Sequence, residues 1–63
     1  MYTMKLTYNG AVINERPVSS WRDRARESFA TVRDAIKPLN GANLELTLYT
    51  PENEIELTWK SED

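Results

Sequence analysis

The opening segment YTMKLTY alternates apolar and polar residues without interruption. Successive side chains of a β-strand point to opposite faces, so this period of two predicts a half-buried strand. Asn9 and Gly10 follow at once, and this dipeptide favours the positive φ angles of a type I′ turn. The segment AVINERPV after the turn completes the first predicted β-hairpin.

The two-residue turn also sets a register for this hairpin. It places Leu6 opposite Ile13, so that both residues lie on the core face of the sheet together with Met4. Met4 itself is predicted to lie opposite Glu15. Because Pro17 has no amide proton to donate to a ladder, the second strand is predicted to end there and to lie at a sheet edge.

Apolar residues at helical spacing follow the hairpin and predict one amphipathic helix. Ser20 is the expected N-cap, and Asp23 three residues later forms a weak capping box with it. Pro38 disfavours helical backbone at the residue before it, so the helix is predicted to end near Ile36, and Asn40-Gly41 marks the following loop. The predicted core stripe is Trp21, Ala25, Phe29, Val32 and Ile36.

Two further alternating segments, NLELTLYT and IELTWK, predict a closing hairpin. The residues PENE between them favour a turn. A four-residue loop keeps the leucines of the third strand on the same face as Ile55, Leu57 and Trp59. It also pairs Glu45 with Lys60, which is favourable because the charges are opposite. The tail SED is expected to fray.

These elements predict an α+β fold in the order ββαββ, with one helix packed on a four-stranded sheet. Residues 1–63 form a single domain in this prediction, because domains typically contain about 50 to 250 residues. A chain of this size buries only about 60% of the surface that its unfolded form exposes. Little room is left for a deep cleft beside the core.

The sequence KLTYNG before a hairpin, the central helix with Ala25 and Phe29 in its stripe, and the closing hairpin resemble the immunoglobulin-binding domains of protein G type. The resemblance implies a β-grasp-like fold with strand order 2-1-4-3, in which the two terminal strands are central and parallel. Strands two and three are the edges of such a sheet. The antibody contacts of that family lie on its helix and third strand, and this chain has no residue-by-residue match to them. The resemblance therefore concerns the fold alone.

The chain contains neither cysteine nor histidine. It therefore has no thiolate metal ligand, no disulfide and no copy of the commonest general base, and we expect neither catalysis nor a bound metal or cofactor. No apolar run approaches the roughly 20 residues that span a bilayer. A cysteine-free chain suits a reducing compartment, so the expected location is the cytoplasm, without membrane contact.

The net charge of −2 is unevenly distributed along the chain. Residues 1–41 contain 7 basic and 4 acidic residues, which gives +3. Residues 42–63 contain 1 basic and 6 acidic residues, which gives −5. An asymmetry of this size can steer an encounter with a partner, but it does not identify the partner.

One flank of the predicted helix carries a basic ridge beside the apolar stripe. The ridge consists of Arg22, Arg26, Arg33 and Lys37. Such a row of cations could follow the phosphates of a nucleic acid. The alternative is a solvated helix face, because acidic residues lie at i,i+3 spacing, as in Asp34–Lys37. A contact with a protein is the third interpretation.

Two other surfaces are candidate contacts with a protein. In the order 2-1-4-3 the third strand is an edge without proline, and it could pair with a partner strand or with a second copy of the chain. Its outward residues are Glu45, Thr47 and Tyr49. The second hairpin would present an acidic end to a basic partner or simply form a hydrated turn. Its carboxylates are Glu52, Glu54 and Glu56.

The sequence therefore predicts a small, non-enzymatic protein-interaction module. One concrete form is an inhibitor of a larger host protein or defence complex, encoded by a phage or another mobile element. The first alternative is a nucleic-acid-binding accessory domain that uses the basic ridge. The second alternative is a self-associating structural subunit that dimerises through strand three.

Overall fold

The computed structural model describes residues 1–39 and 43–61 and contains the predicted succession of strands and helix. The elements are β1 (Tyr2–Tyr8), β2 (Ala11–Ser19), α1 (Arg22–Ile36), β3 (Leu44–Tyr49) and β4 (Ile55–Lys60). α1 packs on one face of a four-stranded sheet whose neighbouring strands are antiparallel, so the α+β class and the ββαββ layout are confirmed. The predicted loop at Asn40-Gly41 and the tail residues 62–63 lie outside the described residues.

The strands lie in the order β2-β1-β3-β4, so the predicted order 2-1-4-3 is wrong. β1 pairs antiparallel with β3, which places Leu6 opposite Leu46 and brings the apolar side of β1 against the most buried strand. Burying that strand between two others removes more apolar surface from water than leaving it at an edge. β4, whose Ile55 is exposed, takes the edge position instead. The β-grasp topology implied by the resemblance to protein G-type domains does not apply.

The first hairpin turn has the predicted geometry. Asn9 and Gly10 have φ angles of 51° and 84°, as a type I′ turn requires, and Tyr8 pairs with Ala11. Asn43, just before β3, fixes the turn from the neighbouring strand. Its side-chain amide donates to the Asn9 side chain at 2.9 Å, and its carbonyl accepts from the Asn9 amide at 3.2 Å.

A β-bulge beyond this turn changes the predicted register of β2. Thr7 pairs with Val12, but Leu6 pairs with Asn14, so Ile13 is an extra residue on β2. The predicted pairs of Leu6 with Ile13 and of Met4 with Glu15 are therefore wrong. Met4 lies opposite Arg16 instead. The bulge moves two polar β2 residues onto the face that α1 covers, because each side chain of a strand follows its partner's face.

β2 lies at a sheet edge, as predicted, but it continues through Pro17 to Ser19. A second irregularity allows this extension. Thr3 pairs with Pro17 and Tyr2 with Ser19, so Val18 is an extra residue, and Val18 packs against the core. Proline is compatible with this position because edge strands and bulges are the places where a sheet tolerates it.

A third bulge lies at the start of β4. Tyr49 pairs with Ile55 rather than with Glu56, which becomes the extra residue. Ile55, predicted to face inward, is 64% exposed. Glu56, predicted to face outward, turns to α1. The rest of the predicted register is confirmed: Leu48 pairs with Leu57, Leu46 with Trp59 and Glu45 with Lys60. Ser61, predicted to fray, exchanges two hydrogen bonds with Leu44.

The helix ends at Ile36, as predicted, but it begins after Trp21 rather than after Ser20. Trp21 is the N-cap residue, with an extended backbone and no side-chain capping bond to the helix. The Ser19 hydroxyl accepts a hydrogen bond from the Trp21 amide at 3.0 Å, which draws the chain into this conformation. Because Trp21 precedes the first helical turn, its ring does not join the apolar stripe and is 69% exposed. Its predicted role in the core is therefore wrong.

The core lies between α1 and the covered face of the sheet. Ala25 and Phe29 are the buried residues of the helix, and Phe29 is 3% exposed. Met4, Leu46 and Leu48 complete this buried cluster from the two central strands. The partly buried residues around it are Tyr2, Leu6, Val18, Val32, Ile36, Leu57 and Trp59.

Candidate functional site

The basic ridge predicted on α1 is present, but its N-terminal half is paired with an acidic side chain of β4. The Nε atom of Arg22 donates to Glu56 Oε2 at 2.8 Å, and Arg26 Nε lies 3.7 Å from the same oxygen. The Glu56 side chain is only 13% exposed. The hydrogen bond to Glu56, together with its negative charge, raises the pKa of Arg22. The β4 bulge creates this pairing, because it turns Glu56 toward the helix.

The C-terminal half of the ridge is paired as well. Arg33 Nε lies 3.2 Å and Lys37 Nζ 3.6 Å from Asp34 Oδ1. Two carboxylates are thus paired with the four cations of the ridge, which leaves a formal net charge of 4 − 2 = +2. Each cation would have to exchange its carboxylate for a phosphate, so the ridge is less suited to nucleic acid than the sequence alone indicates.

Asp34 provides a test of these pairs. The hydrogen bond from Arg33, aided by the charges of Arg33 and Lys37, holds the pKa of the Asp34 carboxyl below its usual value. A lowered pKa means that the ion pairs stabilise the fold above the usual carboxyl pKa, and that this stabilisation is lost as the pH falls through the lowered value. Arg33→Gln is expected to move the pKa of Asp34 up toward its usual value, as measured by an NMR pH titration of the carboxyl carbon.

Arg24→Gln is the matched control for this titration, because Arg24 lies on the same helix and is not one of the partners of Asp34. It should leave the titration of Asp34 unchanged. The same midpoint in Arg33→Gln as in the parent chain would contradict the pairing of Arg33 with Asp34.

The third strand cannot form the predicted edge interface, because β3 lies between β1 and β4. The backbone groups of β3 are hydrogen-bonded to β1 on one side and to β4 on the other. The predicted contact residues Glu45, Thr47 and Tyr49 lie in register with Thr7, Lys5 and Thr3 of β1, on the face away from α1. Lys5 Nζ lies 4.9 Å from the centre of the Tyr49 ring. The prediction failed because it rested on the wrong strand order.

The three carboxylates predicted to form the acidic end of the second hairpin do not lie together. Glu56 is turned to the helix arginines, so only Glu52 and Glu54 remain at the exposed tip. The amides of these two residues donate to the Thr50 hydroxyl oxygen at 3.3 Å and 3.1 Å, which is the hydrogen bonding of a polar turn. Two carboxylates on a turn form a smaller acidic surface than the sequence predicted.

The other flank of α1 borders a groove that the sequence did not predict. A pocket of about 120 Å³ opens between the helix and β2. Its lining residues are Met4, Leu6, Asn14, Arg16, Val32 and Leu46. The groove continues along the helix past Arg24, Glu27 and Thr31, and it shares Arg16 and Val32 with the pocket. It exists because α1 leaves part of β2 uncovered: every β2 residue from 11 to 17 is exposed.

Arg16 and Arg24 distinguish this groove electrostatically. Six of the eight basic residues of the chain have a carboxylate oxygen within 4.0 Å among the described residues. The two others are Arg16 and Arg24, and both line the groove. Glu27 also lines it, which leaves a formal wall charge of 2 − 1 = +1. Guanidinium groups without a protein carboxylate can bind the carboxylates of a ligand.

Trp21 lies next to the groove. The guanidinium carbon of Arg24 lies 5.8 Å from the centre of the exposed Trp21 ring, within the range of a cation–π contact. Arg24 lines both the groove and a small depression formed with Trp21, Ser19 and Ser20, so the two features are continuous. We call the outer part of this region, including the partly buried Val32, the α1–β2 surface. It comprises Arg16, Trp21, Arg24, Glu27, Thr31 and Val32.

Two general findings bear on the chemistry of the chain. Within residues 1–39 and 43–61, no group of three or more acidic side chains is placed to hold a metal ion. Across the same residues, no helix has the length and apolar character needed to cross a membrane.

Comparison with known proteins gives no relative. The chain matches no protein-family model, no curated protein and no solved structure. The similarity to protein G-type domains is therefore limited to a small α+β layout of one helix on a four-stranded sheet.

Proposed function

We propose that this chain is a small, non-enzymatic protein-binding module that docks on a larger protein through the α1–β2 surface. The observation that carries the proposal is the exposed Trp21 ring beside Arg24. Tryptophan and arginine are the residue types most enriched at the energetic centres of protein interfaces. A tryptophan that contributes little to its own core has apolar area available for a partner.

The surroundings of Trp21 support the same proposal. An interface centre needs an anchor, a neighbouring pocket and groups that exclude water from its rim. Trp21 supplies the anchor. The groove lined by Arg24 and Arg16 leads from it along α1 to the pocket between α1 and β2. The ridge on the opposite flank is less favourable for a partner, because its cations are already paired with Glu56 and Asp34.

Inhibition of the bound protein follows naturally from such docking, because a compact module can occlude a functional surface without any chemistry of its own. An origin in a phage or mobile element and a cytoplasmic location stay predictions from the sequence. The nucleic-acid alternative keeps the ridge as its only candidate surface, and the test below separates it from the proposal.

Affinity capture from a bacterial lysate, treated with nuclease, tests the proposal with three chains: the parent, Trp21→Ala and Ile55→Ala. The parent is expected to retain one protein in stoichiometric amount after nuclease treatment. Trp21→Ala should weaken binding of that protein roughly 30-fold, the effect of removing a hot-spot residue worth about 2 kcal/mol. Ile55→Ala is the control and should be captured with the same protein as the parent, because Ile55 is similarly exposed (64% against 69% for Trp21) and lies on the far hairpin, outside the α1–β2 surface.

Two results would overturn the proposal. Equal capture by the parent and by a folded Trp21→Ala chain would exclude the α1–β2 surface as the docking site. Loss of all captured material on nuclease treatment would assign binding to nucleic acid, and charge reversal of Arg26 and Arg33 should then abolish it.

A further inference from the structure

We infer that the partner docks with an acidic segment that carries one bulky apolar side chain, which fills the pocket between α1 and β2. This inference rests on the proposed function and specifies the chemistry of its ligand. Three features of the α1–β2 surface carry it: the size of the pocket, the charge of its rim and the interrupted edge of β2.

The pocket has the size of a side chain. Its volume of about 120 Å³ is several times the roughly 30 Å³ that one water molecule occupies. It is well below the roughly 300 Å³ at which sites for drug-sized ligands and cofactors begin. The more open groove that continues from it encloses about 730 Å³, so the restriction to one side chain applies to the pocket alone. The lining is largely apolar: Met4 and Leu46 are buried, and Leu6 and Val32 are partly buried. One leucine-sized or isoleucine-sized group would therefore displace water from this lining.

The rim favours carboxylates next to that group. Arg16 contributes to the pocket itself, and Arg24 lies farther along the groove beside Trp21. Neither has a carboxylate within 4.0 Å among the described residues. Carboxylates can bind guanidinium groups through two parallel hydrogen bonds. Glu27 on the same wall disfavours further negative charge beside it, so the acidic residues should contact Arg16 and Arg24 and avoid that position.

The edge of β2 limits how the segment can bind. Ile13 is a bulged residue and Pro17 lacks an amide proton, so only Asn14–Arg16 forms a regular edge between them. Three residues are too few for a long added strand, since bulges and proline are the features that blunt an edge. Side-chain contacts in the pocket and at the arginines must therefore supply the specificity.

The chain itself contains a segment of similar chemistry. The tip of the second hairpin carries Glu52 and Glu54 beside the exposed Ile55, so a second copy of the chain is the competing occupant. Reciprocal contacts of this kind would close a two-fold dimer, and head-to-tail contacts would produce rings or filaments. Self-association is therefore one outcome of the test.

NMR titration of the isotope-labelled protein with synthetic peptides tests the inference. The probe is a seven-residue peptide with leucine at its centre and aspartate or glutamate on either side. Its controls carry lysine in place of every acidic residue, or alanine in place of leucine. We expect the acidic leucine peptide alone to shift the amide signals of Arg16, Arg24 and Val32, with an affinity that falls as the salt concentration rises.

Paired charge variants supply the matched control. Arg16→Gln with Arg24→Gln should weaken binding of the acidic peptide about tenfold or more, the effect of losing a hydrogen bond between charged groups. Arg33→Gln with Lys37→Gln removes the same charge from the opposite flank and should change the affinity less than about twofold, because both cations are paired with Asp34 and neither lines the groove.

Several outcomes would overturn the inference. These are equal binding of the lysine peptide, equal binding of the alanine peptide, and no shift in the groove up to the solubility limit of the probe. A mass that rises with protein concentration, and that the acidic peptide lowers, would assign the groove to a second copy. If capture in the lysate still depends on Trp21 while the peptides fail, the proposed function stands and only the acidic segment is wrong.

Discussion

Phe29→Ala is expected to lower the free energy of unfolding by about 3 to 5 kcal/mol, as truncations of buried phenylalanine do. Phe29 is 3% exposed and packs in the cluster formed by Met4, Ala25, Leu46 and Leu48. No neighbouring element is free to refill the space, because each of these residues belongs to the helix or to a central strand. A domain of this size has only roughly 3 to 5 kcal/mol of net stability, so the variant should be largely unfolded at room temperature.

Urea denaturation followed by circular dichroism measures this effect, and Trp21→Ala is the matched control. Both changes remove an aromatic ring from the same segment, but Trp21 is exposed. Trp21→Ala should therefore lower the free energy of unfolding by no more than about 0.5 kcal/mol. The same control establishes that Trp21→Ala is folded when it is used in the capture experiment. A Phe29→Ala chain as stable as the parent would contradict the burial of Phe29 between α1 and the sheet.

The local elements were predictable because their signals are local. Alternation of apolar and polar residues predicted β1, β3 and β4, and Asn9-Gly10 predicted the turn that joins β1 to β2. Pro38 predicted the end of α1 at Ile36. Each of these inferences depends on residues that are close together in the sequence, where backbone sterics and side-chain direction decide the local structure.

The strand order was not predictable from the same signals. Two hairpins joined by a helix can meet with either β3 or β4 beside β1, and both arrangements keep every hairpin intact. The choice depends on how much apolar surface each arrangement buries, which is a property of the whole sheet. β3 contributes Leu44, Leu46 and Leu48, all buried, and it takes the central place. The resemblance to protein G-type domains misled the prediction because it rested on the layout, which both orders share.

The bulges explain why the candidate site was missed. A strict period of two sends Glu56 outward and Ile13 inward, but an extra residue reverses the predicted faces on one side of each bulge: beyond Ile13 in β2, and before Glu56, at Ile55, in β4. One bulge brings Glu56 to Arg22 and Arg26 and neutralises part of the predicted ridge. The other brings Arg16 to the covered face of the sheet, where it lines the pocket. No residue in either segment signals a bulge by itself.

The sequence indicates the flank of α1 with the basic ridge as the binding surface, whereas the pairing of charges favours the opposite flank, which faces β2. The flank facing β4 has more cations, but Glu56 and Asp34 pair with them. The flank facing β2 has fewer, and Arg24 is held beside an exposed aromatic ring rather than a carboxylate. For a binding surface, the number of charges matters less than how many of them are already paired, because a partner must replace each existing pair.

Thr47→Pro is expected to abolish cooperative folding, because Thr47 lies at the middle of central strand β3. It pairs with Lys5 on one side and with Thr58 on the other. Its amide proton therefore donates to a neighbouring strand whichever side it faces. Proline removes that hydrogen bond and leaves a buried carbonyl without a donor, at a cost of about 1 to 3 kcal/mol before any steric clash. Against a net stability of roughly 3 to 5 kcal/mol, this loss should leave little folded protein.

Thr47→Val is the matched control for the proline variant. It keeps a β-branched side chain at a site that is 6% exposed, and its effect should stay within about 1 kcal/mol, the span of strand propensities. Urea denaturation and the dispersion of amide NMR signals report both variants. Proline is already present at position 17 of edge strand β2, which shows what an edge tolerates. A cooperatively folded Thr47→Pro chain would therefore place β3 at an edge and restore the order 2-1-4-3.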